Sequence, residues 1–164
     1  LNHVIELGLT NPDKLGIYGL SYGGYMTCWM ITQTDRFKAA ISENPVSDLA
    51  SDCGVGDLSV WMNRDALGGM PYEVPQMYDK ASPVTFAHRV KTPTLMLQGE
   101  CDYRCPALNT EQFYTMLKVN KCIVEMVRLP GSSHAESIGG KPIIRRAQNE
   151  ELLAWMKKYN PVGE

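Results

Sequence analysis

The sequence predicts an α/β fold, a parallel sheet covered by helices. Three observations carry this. Short apolar runs alternate with longer helix-compatible stretches along the chain, with no internal repeat and no low-complexity tract. The run Thr92–Gly99, TPTLMLQG, is nearly continuously apolar, as in a strand buried on both faces of a parallel sheet. A serine set among glycines, GLSYGG at Gly19–Gly24, directly follows a further apolar run and precedes a helical stretch.

Taken in order, Leu1–Gly8 groups Val4, Ile5 and Leu7 and stops at a glycine, so it reads as the end of a helix whose beginning is missing. Lys14–Leu20 is the first strand, with its apolar part over Leu15–Leu20, and Tyr22–Thr32 the helix after it. Phe37–Ser42, FKAAIS, is the second strand, ended by Asn44-Pro45. Val46–Tyr78 is rich in glycine and proline and reads as a loop-rich excursion with short helices near Leu58–Ala66, where a substrate pocket can be built. A helix around Pro83–Arg89 leads into the third strand, Thr92–Gly99. Ala107–Val119 spaces Leu108, Phe113, Met116 and Leu117 as a helical stripe, and Cys122–Pro130 is the fourth strand. Lys141-Pro142 opens a terminal helix burying Ile144, Ala147, Leu152, Trp155 and Met156. Four strands and about four helices result, in one domain over 1–164.

At 164 residues, 44% hydrophobic and 21% charged, the chain can build one sizeable core. A net charge of −2 disfavours nucleic acid as a partner, and no stretch has the roughly 18–20 apolar residues of a membrane helix. Five scattered cysteines without paired CxxC spacing and three histidines argue for reduced thiols in a cytoplasmic protein and against a zinc site. No cofactor is implied.

Chemistry in an open parallel sheet gathers beyond the carboxyl ends of its strands. Ser21 follows the first predicted strand, Asp102 the third and His134 the fourth: a nucleophile, a carboxylate and a base, in that order. Gly19-Leu20-Ser21-Tyr22-Gly23 satisfies G-x-S-x-G between strand and helix, where the two glycines remove Cβ atoms that would clash in a sharp turn. A serine hydroxyl needs a histidine to take its proton and a carboxylate to hold the imidazole. His134, in the small-residue loop GSSHAES, suits this better than His3 or His88, which fall on helices. Asp102 is preferred over Glu100, with Asp48, Asp52 and Asp57 as further competitors. Arg104 can donate to a substrate carbonyl or carboxylate, but spacing alone favours a surface salt bridge.

GIYGLSYGGYM, SPVTFAHRVKTPTLMLQGECDYRCP and GSSHAES together resemble the catalytic domain of the prolyl oligopeptidase family of serine peptidases, in its acylaminoacyl-peptidase-like branch. The resemblance implies an α/β-hydrolase fold, a Ser21–Asp102–His134 triad and the backbone N–H of Tyr22 as one oxyanion donor. It assigns Arg104 to a substrate carbonyl, and Val46, Cys105 and Trp61 to walls of the pocket for the side chain before the cleaved bond, with small apolar core as the alternative account of Val46 and Cys105.

Family members carry a β-propeller, earlier strands and a second oxyanion donor that this sequence lacks. The chain therefore reads as the C-terminal part of a larger peptidase, its first strand a bare sheet edge that another copy or the absent half covers. The expected substrate is a short peptide, N-acylated ones included. A carboxylesterase of the same fold, or a non-catalytic folding or assembly fragment, are the competing readings.

Overall fold

A computed structural model describes residues 1–161. Four parallel strands lie side by side in chain order: β1 (Gly16–Leu20), β2 (Ala39–Glu43), β3 (Thr94–Gly99) and β4 (Val124–Leu129). Eight α-helices occur among the described residues: α1 (Asn2–Glu6), α2 (Tyr22–Gln33), α3 (Leu49–Cys53), α4 (Ser59–Leu67), α5 (Pro75–Ala81), α6 (Ala107–Val119), α7 (Glu136–Gly139) and α8 (Pro142–Tyr159). No helix is long and apolar enough to cross a membrane among the described residues.

Strand alternation divides the core in two. On one face Ala40 and Met96 meet Cys28 and Ile31 of α2, Phe113 and Leu117 of α6, and Ala87. On the other, Ala39, Ile41, Leu95 and Leu97 pack against Trp155 of α8. β2 and β3 are buried at every position, as the apolar run of β3 requires. Burial on the α8 face is less complete than its apolar stripe suggests: Trp155 is buried, whereas Ile144, Ala147, Leu152 and Met156 are half-buried.

The strands are shorter at their starts than the sequence suggests. β1 begins at Gly16, not Lys14, because Pro12–Lys14 forms a 3-10 turn in which Asn11 Oδ1 accepts from the Asp13 N–H at 2.8 Å. β2 begins at Ala39 and runs to Glu43, one residue past Ser42. Pro83–Arg89 is 3-10 rather than α. The stretch 46–78 holds more helix than its glycines and prolines announce: α3 and α4 lie within it and α5 starts there. Asp48 starts α3 by accepting from the Ala50 and Ser51 N–H groups at 3.0 and 3.4 Å, a cap typically worth about 1 kcal/mol.

Candidate active site

Ser21 occupies the turn between β1 and α2 with φ 62° and ψ −120°, a region that costs a non-glycine residue roughly 1–3 kcal/mol. Two backbone bonds hold it there: the Ser21 N–H donates to Glu43 O at the end of β2, and the Tyr25 N–H donates to Ser21 O, each at 2.9 Å. The glycines contribute unequally. A Cβ on Gly19 would lie 2.2 Å from Gly23 O, and one on Gly24 would lie 2.6 Å from Glu43 O, but one on Gly23 meets nothing within 4 Å. The sequence assigned the clash to Gly19 and Gly23 alike; the close approaches belong to Gly19 and Gly24.

The structure brings Ser21, His134 and Asp102 together. His134 Nε2 is 2.8 Å from Ser21 Oγ, and His134 Nδ1 is 2.7 Å from Asp102 Oδ2. Asp102 is fully buried at its side chain. Its other oxygen, Oδ1, accepts from the N–H groups of Arg104 and Cys105, both at 2.9 Å, so the carboxylate cannot rotate away from the imidazole. Gln98 of β3 ties this loop down by donating to Cys105 O at 3.3 Å. The His134 loop presses on the end of β3, where a Cβ on Gly99 would come within 2.7 Å of Ser132 O.

Asn44, read from the sequence only as the end of the second strand, links the two loops. Buried, with φ 43°, it accepts from the Gly99 N–H at 2.8 Å and donates to His134 O at 3.0 Å. The competing groups are engaged elsewhere: Glu100 pairs with Arg128, Asp48 caps α3, and His3 and His88 are exposed.

Tyr22 is the first residue of α2, so its N–H belongs to the first helical turn and lacks an intrahelical acceptor; its ring is 72% exposed. Beside Ser21 opens a cavity of about 250 Å³ whose lining includes Val46, Leu49, Met62, Leu67, Arg104 and Cys105. Burial, the charges of Asp102 and Asp52 acting in the same direction, pushes the Cys105 thiol up to about 12, so it stands in the wall as a neutral group. Arg104 both borders the cavity and forms a forked salt bridge with Asp57, at 2.5 and 3.3 Å.

Trp61 is placed differently from expectation. It does not line the cavity: it is 60% exposed, with the Arg64 guanidinium 4.9 Å over its ring. Helical phase explains this, because Ser59, Met62, Asn63, Ala66 and Leu67 share the face of α4 turned to the cavity. Among the described residues no group of three or more His, Cys, Asp or Glu side chains is placed to hold a metal ion.

The sequence matches the prolyl oligopeptidase family over residues 1–161. The chain belongs to this family. It is 36% identical over 149 residues to the uncharacterized peptidase YuxL of Bacillus subtilis, covering 91% of this chain and 23% of that protein. To the acylamino-acid-releasing enzyme of Arabidopsis thaliana it is 32% identical, over 97% of this chain and 22% of the relative. Among solved structures it resembles the acylaminoacyl peptidase of Pyrococcus horikoshii, with TM-score 0.94 and 33% identity over 99% of this chain and 27% of that one. The chain thus spans less than a quarter of the length of these curated relatives. Its sheet and helices are those of an α/β-hydrolase, as in its prolyl oligopeptidase relatives.

Proposed function

We propose that this chain is the C-terminal part of the catalytic domain of a serine peptidase that hydrolyses short peptides, N-acylated ones included, by acyl transfer through Ser21. The observation that carries the reading is the continuous hydrogen-bond chain from Ser21 Oγ through both nitrogens of His134 to Asp102. The relatives' names, a peptidase and an acylamino-acid-releasing enzyme, supply the substrate class.

In this reading Ser21 Oγ attacks the substrate carbonyl carbon as its proton passes to His134 Nε2. Asp102 keeps the other ring proton on Nδ1 and stabilises the imidazolium. The oxyanion accepts from the Tyr22 N–H, favoured by its place at the start of α2, and from a second donor supplied by other chain. His134 then protonates the leaving amine, and water, activated by the same nitrogen, releases the acyl group from Ser21. Arg104 holds a substrate carbonyl at the cavity mouth, with Asp57 keeping the guanidinium aimed; Val46 and Cys105 wall the pocket.

The test is a fluorophosphonate probe with the modified residue mapped by mass spectrometry. The complete protein is expected to carry the label on Ser21, and Ser21→Ala to abolish it; an unlabelled Ser21 in active-site-competent preparations of the complete protein overturns the proposal. Faster turnover of p-nitrophenyl esters with no cleavage of acyl-peptide anilides makes the enzyme a carboxylesterase. Labelling of the complete protein but not of the 164-residue chain alone makes the chain an assembly part of the catalytic domain.

A further inference from the structure

The cavity beside Ser21 is apolar along most of its wall but contains one buried acid. Asp52 is 2% exposed, and it borders the cavity together with Ser59 and Asn63. Its Oδ1 accepts from Asn109 Nδ2 at 3.0 Å and its Oδ2 from Asn63 Nδ2 at 3.1 Å. Both donors are neutral amides, and among the described residues no Lys, Arg or His makes an ion pair with it. Arg104, the cation at the cavity, is instead neutralised by Asp57. A carboxylate has about four acceptor positions, so the two amides and the neighbouring Ser59 hydroxyl still leave capacity for a further donor.

We propose that Asp52 makes this cavity select a basic side chain, lysine or arginine, on the residue whose carbonyl Ser21 attacks. This rests on the reading of Ser21 as the nucleophile. A cavity of about 250 Å³ suits one side chain rather than a whole ligand. The alkyl stem of lysine lies along Val46, Leu49, Met62 and Leu67, and its ammonium reaches the carboxylate. A wholly apolar side chain filling the same space would expel water from around an acid and give it no counter-charge, which costs free energy. Burial holds the Asp52 carboxyl above its usual range, the charge of Asp48 acting in the same direction and the hydrogen bonds from Ser59, Asn63 and Asn109 against it; a bound cation relieves that cost.

The test compares acetyl-lysine and acetyl-norleucine p-nitroanilides on the complete protein, because norleucine keeps the stem and lacks the ammonium. The lysine substrate is expected to be favoured in kcat/KM by at least about tenfold, the size of one charge-assisted contact, and Asp52→Asn to bring the ratio to one or below. Preference for norleucine in the unsubstituted protein overturns the proposal, as does a ratio that survives Asp52→Asn. A second measurement needs no turnover and no stable Asp52 variant: calorimetric titration of Ser21→Ala protein with benzamidine against the uncharged isostere acetophenone. Tighter binding of the amidinium by about tenfold or more supports the assignment, and equal or absent binding overturns it. If neither anilide is cleaved and Ser21 resists the fluorophosphonate, the peptidase reading falls, and the titration still decides the selectivity of the cavity.

Discussion

Replacing Asp102 by Asn does more than remove a charge. Oδ1 already accepts from two backbone N–H groups, those of Arg104 and Cys105, so the asparagine oxygen is held at that position. The NH2 group then faces His134 Nδ1, which forces the ring proton onto Nε2, the nitrogen that must take the proton of Ser21. We predict a fall in kcat/KM of about 10³–10⁴-fold near neutral pH, with little change in thermal stability, read from peptide-anilide kinetics and a melting curve. That Ser21, Asp102 and His134 come together was legible from strand ends and chain order. The two N–H groups on Oδ1 and the bridging role of Asn44 were not, because they depend on how the loops after β2, β3 and β4 fold over one another. Asn44 left one signal in the sequence, an asparagine before proline at a strand end, which reads equally well as a turn.

At the scale of elements, the turn from β1 to α2 is where local sequence and tertiary packing agree most closely. Gly19 lies against Gly23, and Gly24 lies against the end of β2, where Ser42 Oγ also donates to Gly24 O at 3.0 Å. Substituting Gly19 by Ala drives a methyl into backbone that has no room to retreat. Substituting Gly23, in the first turn of α2 with open space around it, meets only the helix preference for alanine, up to about 1 kcal/mol in favour. Gly19→Ala is therefore expected to lower the melting temperature clearly, and Gly23→Ala to leave it unchanged or raise it; equal losses in calorimetry contradict the asymmetry. G-x-S-x-G as a string does not distinguish its two glycines, and only the packing of the end of β1 against the first turn of α2 does. Trp61 teaches the same point for α4, whose cavity-facing residues follow helical spacing from Ser59 and leave the tryptophan on the other side.

For the whole molecule, the order of the sheet makes β1 an edge among the described residues, as the sequence led us to expect from a nucleophile strand that comes first. Ser21 N–H and Leu15 O both bond toward β2, and strand alternation therefore turns the backbone groups of Gly16, Tyr18 and Leu20 outward. β1 is nevertheless built like an interior strand. Ile17 and Leu20 are half-buried, and Tyr18, 45% exposed, reaches over the sheet to donate to the buried Glu43 at 2.6 Å. It carries none of the charge or proline that usually blunts an exposed edge. Hydrogen exchange separates a true edge from an interrupted sheet. In the 164-residue chain alone the Tyr18 amide is predicted to exchange quickly while that of Ile41, in the middle of the sheet, is protected. In the complete protein both are predicted to be slow, on the proposal that a further strand or a second copy pairs along β1. A Tyr18 amide that exchanges equally fast in both preparations makes β1 the real border of the sheet, and the assembly proposed for the catalytic domain is then wrong even if Ser21 is labelled.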